Sequence, residues 1–269
     1  MKKFIMKFLF FISGNQAFQA ILDRIIKVVR LLMGFGSGAF PDQSGEKKVL
    51  QKLKNDLGGN QETITFFDVG ANQGQFLDLI LETFPQNNVH VYSFEPASST
   101  FESLKNKFGH KTNVTLENLG FDDHPNYSKL FYDKPNSLFA SKYNRDVSRL
   151  NTKFEHSELV EFSTLDLYCQ KKNVEEIFLL KIDVEGNELN VLNGAKGLFE
   201  QKKIRYLCFE FGSTQVDSRT FFKDIYLFLS QYQMKSLFRI LPSGYLIPID
   251  RYDEKLEMFF TSNYFAVMK

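Results

Sequence analysis

Apolar positions along this chain fall into two periods, one helical and one alternating with turns. From residue 18 to 33, Phe18, Ile21, Leu22, Ile25, Ile26, Val29 and Leu32 recur at helical spacing, with Asp23, Arg24, Lys27 and Arg30 opposite them. The preceding stretch, 1–12, imitates a signal peptide, with basic residues ahead of an apolar run. Lys7 interrupts the run, Asn15 and Gln16 follow it without a small-x-small cleavage site, and it is too short to span a bilayer. The pattern predicts one or two amphipathic helices that pack on the rest of the chain or on a partner. Contact with a membrane surface is the less favoured alternative. Glycines at 34, 36 and 38 and then Pro41 break the period, dividing an extension, 1–40, from a domain, 41–269.

Beyond Pro41 the pattern alternates helix and strand, which predicts an α/β fold with a mostly parallel sheet and helices on both faces. Helices are expected over 46–57, 75–84, 98–108, 188–199 and 221–233. Strands are expected over 63–69, 89–94, 114–118, 177–182 and 204–211, with 238–249 and 258–268 pairing as a terminal antiparallel hairpin. From about 124 to 162 the period becomes irregular, with short strands at 127–133, 137–141 and 159–162. An insertion of this length between core elements suits a lid or a binding role.

Composition narrows the function. The 33 basic and 32 acidic residues nearly cancel, so no global field draws in nucleic acid or a membrane. The lysines of 105–111 read as one solvated helix face. Cys169 and Cys208 are too few for a disulfide framework; Cys208 sits in an apolar strand, and the chain reads as cytoplasmic, with the inner membrane face as the alternative location.

The turn after the first strand carries the candidate chemistry. Asp68 ends the strand, and Gly70 and Gly74 frame the loop Gly-Ala-Asn-Gln-Gly before the next helix. A dinucleotide loop would also need glycine at 72 and 75, where Asn72 and Gln75 stand. Glycines at such a turn let the backbone approach a ligand closely. The Asp68 carboxylate suits a sulfonium amino acid better than a pyrophosphate. Glu95 ends the second strand and is placed to accept both hydroxyls of a ribose, with Pro96 fixing the turn. Alone, Glu95 could equally be a solvated turn; with Asp68 and the two glycines it points to a nucleoside.

These segments, together with Lys181-Ile-Asp-Val-Glu-Gly186, resemble the FkbM family of S-adenosylmethionine-dependent methyltransferases. Thr164-Leu-Asp-Leu167, Leu192-Asn-Gly-Ala195 and Asn263-Tyr-Phe-Ala266 extend the resemblance, which runs from about residue 44 to the C-terminus. It implies a Rossmann-like class I methyltransferase with a seven-stranded sheet. It also implies a cofactor site of Asp68, Gly70, Asn72, Gly74, Glu95, Pro96, Gly120, Phe121 and Asp183. Gly120 departs from the family, where Ala is more usual, and the smaller residue is expected to leave the adenine pocket intact. Ser141, Tyr143, Arg145, Asp217 and Arg219 resemble positions in a subset of the family and suit a sugar or its phosphate. For any one of them a surface salt bridge or a turn contact is the plainer reading.

Methyl transfer to an alcohol needs oxygen, methyl and sulfur in line and a group to take the hydroxyl proton. Asp183, Glu185 and Glu210 follow the fourth and fifth strands and are expected around one cleft at the carboxyl edge of the sheet. They could raise one another's pKa to make a base, or hold a divalent metal; no His completes a ligand set, which favours metal-independent chemistry. Glu188 reads as solvent-facing or packing. Of the four histidines only His156, in the insertion, is kept as an outside candidate for the base. The expected function is O-methylation of a hydroxyl on a sugar, glycoconjugate or related polyol. The alternatives are a nicotinamide-dependent oxidoreductase and a non-catalytic scaffold of glycan assembly.

Overall fold

The computed structural model describes residues 2–38, 44–57, 63–85, 88–146, 148 and 152–269. Pro41, the expected boundary, lies outside them.

Five parallel strands make the centre of the sheet: β1 (Ile64–Val69), β2 (Val89–Phe94), β3 (Val114–Glu117), β7 (Ile177–Ile182) and β8 (Ile204–Phe211). Their spatial order is β3-β2-β1-β7-β8. The chain therefore winds outward from β1 in one direction and resumes beside β1 with β7 in the other. That reversal opens a crevice beyond the carboxyl ends of β1 and β7. Burial on both faces explains why β7 is apolar at every position but Lys181. Strand alternation sends Phe66 and Phe67 into opposite cores. Phe66 packs with α4 (Gln75–Thr83) and α3 (Glu46–Asp56), while Phe67 packs with α6 (Leu165–Lys172), α7 (Glu188–Asn193) and α10 (Phe222–Gln231). Helix α5 (Ser98–Phe108) joins β2 to β3. Cys169 and Cys208 are buried, one in each core.

The sheet has eight strands rather than seven. The segment expected as one strand over 238–249 divides into β9 (Ser236–Ile240) and β10 (Leu246–Pro248), because Gly244, at φ 80°, lets the chain turn back between them. The last strand, β11 (Ser262–Val267), lies antiparallel between β8 and β9, as a terminal antiparallel partner should. The expected helix 188–199 is broken into α7 and α8 (Lys196–Glu200). Gly194 lies so close to the Asp122 carbonyl that a Cβ would stand 2.1 Å from its oxygen.

The insertion and the residues just before it form a second sheet, β4 (Gly120–Phe121), β6 (His156–Ser163) and β5 (Asn126–Tyr132), in that order. The strand expected over 137–141 reduces to one bridge, Phe131 to Ser141. A short helix unmarked in the sequence pattern, α9 (Thr214–Ser218), follows β8.

At the N-terminus, α1 (Lys2–Ser13) and α2 (Gln16–Leu32) are joined by a turn in which Asn15 caps α2, accepting from Phe18 N at 3.0 Å. Packing of this pair on the domain or on a partner was expected; no residue of α2 is buried against the domain.

Candidate active site

A cavity of about 640 Å³ opens at the crevice. Asp68, Gly70, Asn72, Glu95, Pro96, Gly120, Phe121, Asp183, Glu185 and Glu210 all line it, as do Arg145 and Asp217. Loops from the carboxyl ends of β1, β2, β7 and β8 thus deliver their expected residues to one place.

Asp68 is buried, and its Oδ2 has no hydrogen-bond partner. Burial pushes its carboxyl up to about 7, against the pull of Lys181. An orphaned buried carboxylate oxygen on a cavity wall is costly unless a donor or cation meets it there. Glu95 is also buried: Oε2 accepts from Asn72 N at 2.9 Å, and Oε1 from Ala97 N at 2.8 Å. Its carboxyl too is pushed up to about 7, burial outweighing those two bonds. Each oxygen keeps acceptor capacity for a further donor. Beside them Pro96, Leu119, Phe121 and Phe162 form an apolar slot. A nucleoside with a cationic tail is the kind of ligand that this set could hold.

Two glycines have structural reasons different from those expected. Gly74 is not on the cavity wall; at φ 81° it opens α4 where a Cβ would stand 2.3 Å from the Phe108 ring. Gly120 replaces the usual Ala because the Phe162 ring takes that space, 2.5 Å from a built Cβ. Gly120 and Phe162 both line the cavity. Gly70 is on the wall, at φ 85°, but a Cβ there would meet the Asp183 carbonyl oxygen at 1.8 Å. Its close approach is to the neighbouring loop as well as to the cavity.

Asp183 extends from β7 with its side chain partly exposed, and its Oδ2 lies 3.4 Å from Lys181 Nζ. Lys181 is buried and pairs with Glu46 at 2.8 Å. Burial opposes that charge, but Glu46 and Asp183 outweigh it and hold the ammonium well above its ordinary value. Glu185, at φ 52°, accepts from Arg145 Nη1 at 2.6 Å, and Arg145 Nε lies 3.3 Å from Asp217 Oδ2. Burial and then Asp183 push Glu185 up to about 8, with Arg145 opposing. Glu210 is raised well above its ordinary value by burial, Asp183 and Glu185.

The family model described as the methyltransferase FkbM domain matches residues 68–236. The chain belongs to the FkbM methyltransferase family. It is similar to "Methyltransferase 1" of Beauveria bassiana (strain ARSEF 2860), with 27% identity over 143 residues, 47% of this chain and 56% of that protein. The chain thus spans little more than half the length of that relative. Among solved structures, methyltransferase FkbM from Methylobacillus flagellatus KT aligns with a TM-score of 0.44 and 15% identity, over 80% of this chain and 47% of that one. Aeropyrum pernix fibrillarin, solved with S-adenosyl-L-methionine bound, aligns with a TM-score of 0.43 and 12% identity, over 84% and 76%.

Other expected residues of this FkbM-family chain lie off the cavity wall. Ser141 is buried and donates its Oγ hydrogen to the Glu185 carbonyl at 2.7 Å, holding that loop rather than a ligand. Tyr143 donates to Asn187 Oδ1 at 3.3 Å. Arg219 is the left-handed C-cap of α9. His156 stacks on Tyr132 at the far end of β6 and is not in the cavity, which removes it as an outside base. Glu188 is not solvent-facing: Oε1 accepts from Val184 N and Gly186 N at 3.1 and 3.2 Å, and Oε2 from Gln215 at 2.5 Å. Burial pushes it up to about 7. It fixes the loop that carries Glu185.

Sequence reasoning missed Lys181, Glu46 and Asn187. Lys181 was signalled by a single lysine in an otherwise apolar strand and Glu46 by its place in the first turn of α3; Asn187 carried no signal.

Proposed function

We propose that this protein is an S-adenosylmethionine-dependent O-methyltransferase acting on a hydroxyl of a sugar, glycoconjugate or related polyol. One observation carries the reading: Asp68, Glu95 and Asp183 line the same cavity, and a buried oxygen of Asp68 lacks a partner. Family membership sets aside the nicotinamide alternative. Asp68 Oδ2 is the acceptor for the ammonium of the methionine moiety, Glu95 for the ribose hydroxyls, and the slot between Pro96 and Phe121 receives the adenine.

When bound, S-adenosylmethionine supplies an electrophilic methyl group. The chain's own residues then orient the acceptor and take its proton. Asp183 Oδ2 is held by the Lys181 ammonium, leaving Oδ1 to accept from the hydroxyl. Glu210, whose carboxyl burial and Asp183 raise well above its ordinary value, lines the same edge. Arg145, spanning Glu185 and Asp217, offers a polar wall to a polyhydroxylated acceptor. The two buried free thiols suit the reducing cytoplasm.

Thermal shift with S-adenosylmethionine, S-adenosylhomocysteine and NAD tests the cofactor, since a ligand specific for the native state raises its melting point. Stabilisation by the first two alone is expected; stabilisation by NAD alone contradicts the reading. Turnover separates the enzyme from a scaffold that only binds cofactor.

A further inference from the structure

The N-terminal helix pair carries an apolar face that the described residues of the domain leave open. Ile21, Ile25, Ile26, Val29 and Leu32 of α2 are 45–75% exposed. With 3.6 residues per turn they share one side of the helix, and Arg24, Lys27 and Arg30 occupy the other. In α1, Met6, Leu9, Phe10 and Phe11 are exposed as well. No helix among the described residues is long and apolar enough to cross a membrane.

Charge distinguishes this segment from the rest. Residues 1–33 hold six basic side chains (Lys2, Lys3, Lys7, Arg24, Lys27, Arg30) against one acidic, Asp23, for a net +5. The whole chain is +1, so residues 34–269 carry −4. An amphipathic helix with aliphatic residues on one face and Lys and Arg on the other fits the plane of a lipid interface.

The base of the pair is fixed at the cavity rim. Gly36 N and Gly38 N both donate to the Thr261 carbonyl, at 2.9 and 3.2 Å, and Thr261 lines the cavity. The Arg30 guanidinium lies 4.1 Å over the Phe260 ring, and Phe35 is buried beneath Arg239.

We propose that α1 and α2 dock the protein on an anionic lipid bilayer, lying in its interface and holding the cavity rim at the membrane surface. This reverses the preference drawn from the sequence, where packing on the domain or on a partner came first. It stands apart from the methyltransferase reading, because docking needs neither cofactor nor turnover.

Flotation of the full chain with vesicles tests it, using phosphatidylcholine alone and phosphatidylcholine mixed with phosphatidylglycerol. Wild type should float with the mixed vesicles, less so as salt is raised. Ile25→Glu/Val29→Glu should lower partition by roughly a hundredfold or more, since burying each aliphatic side chain is worth about tenfold to a hundredfold. Arg24→Gln/Lys27→Gln should lower it by roughly twentyfold, at about fivefold per charge. Both variants should keep the wild-type melting temperature. Failure of wild type to float with mixed vesicles overturns the proposal, as does equal flotation of the Ile25→Glu/Val29→Glu variant. So does a vesicle-free dimer that this variant converts to monomer.

Discussion

Lys181 Nζ stands 3.4 Å from Asp183 Oδ2, inside the strand that delivers Asp183 to the cavity. The same ammonium pairs with Glu46 of α3, so a helix outside the loops at the carboxyl edge anchors the lysine that holds one oxygen of the candidate base.

Both Lys181 and Glu46 are almost wholly buried, so removing one partner strands the other charge. Lys181→Met should lower stability by about 3–5 kcal/mol in urea unfolding. Adding Glu46→Gln should recover part of that loss. A loss under about 1 kcal/mol would show that the pair is not desolvated as described.

Gly120 and Phe162 fill one space between them. Gly120→Ala should destabilise by about 1–3 kcal/mol, the usual cost of overpacking. Phe162→Leu in the same chain should restore most of it. Additive losses in the double variant would show that the two positions do not compete.

This pair also marks where the sequence stopped being readable. β1, β2, β7 and β8 stood out because apolar runs ended at glycines, Asp68, Glu95 and Asp183. What Gly120 is for could not be read, because Phe162 comes from the irregular insertion and meets it only through the second sheet. Gly74 misled for a related reason: a turn glycine looks alike whether a ligand or Phe108 crowds it. Lys181 was quoted within a motif, yet its buried pairing depends on Glu46, 135 positions earlier, a distance no local period can encode.

The carboxyls of Asp68, Glu95 and Glu188 lie at about 7 in the folded chain and would titrate near about 4 when unfolded. The native state therefore holds more protons across that window, and their contribution is lost as pH rises through it. Ligand-free protein should melt at a lower temperature at about pH 8 than at about pH 5. Asp122 and Asp133, held low, act only below about pH 4. A melting point that is flat or rising across the window would contradict the burial of these groups.

Glu95→Ala should weaken S-adenosylmethionine binding by about 1.5–3 kcal/mol in calorimetry, the scale of hydrogen bonds to a charged group. Wild-type affinity in this variant would move the ribose site elsewhere.

Among the described residues no group of three or more His, Cys, Asp or Glu is arranged to hold a metal ion. EDTA should leave turnover unchanged. A rate abolished by chelation and restored by Mg²⁺ or Mn²⁺ would reassign the carboxylates as ligands.

Transfer of label from S-adenosylmethionine to an acceptor, compared between wild type and Asp183→Asn, tests the central claim most directly. The panel should include sugars, nucleotide sugars and lipid-linked glycans. Label should appear as an O-methyl ether, and Asp183→Asn should lower kcat by roughly 10²–10⁴ while cofactor affinity stays near wild type. Label on nitrogen or carbon would contradict O-methylation, and near-wild-type turnover in Asp183→Asn would contradict its assignment as the base.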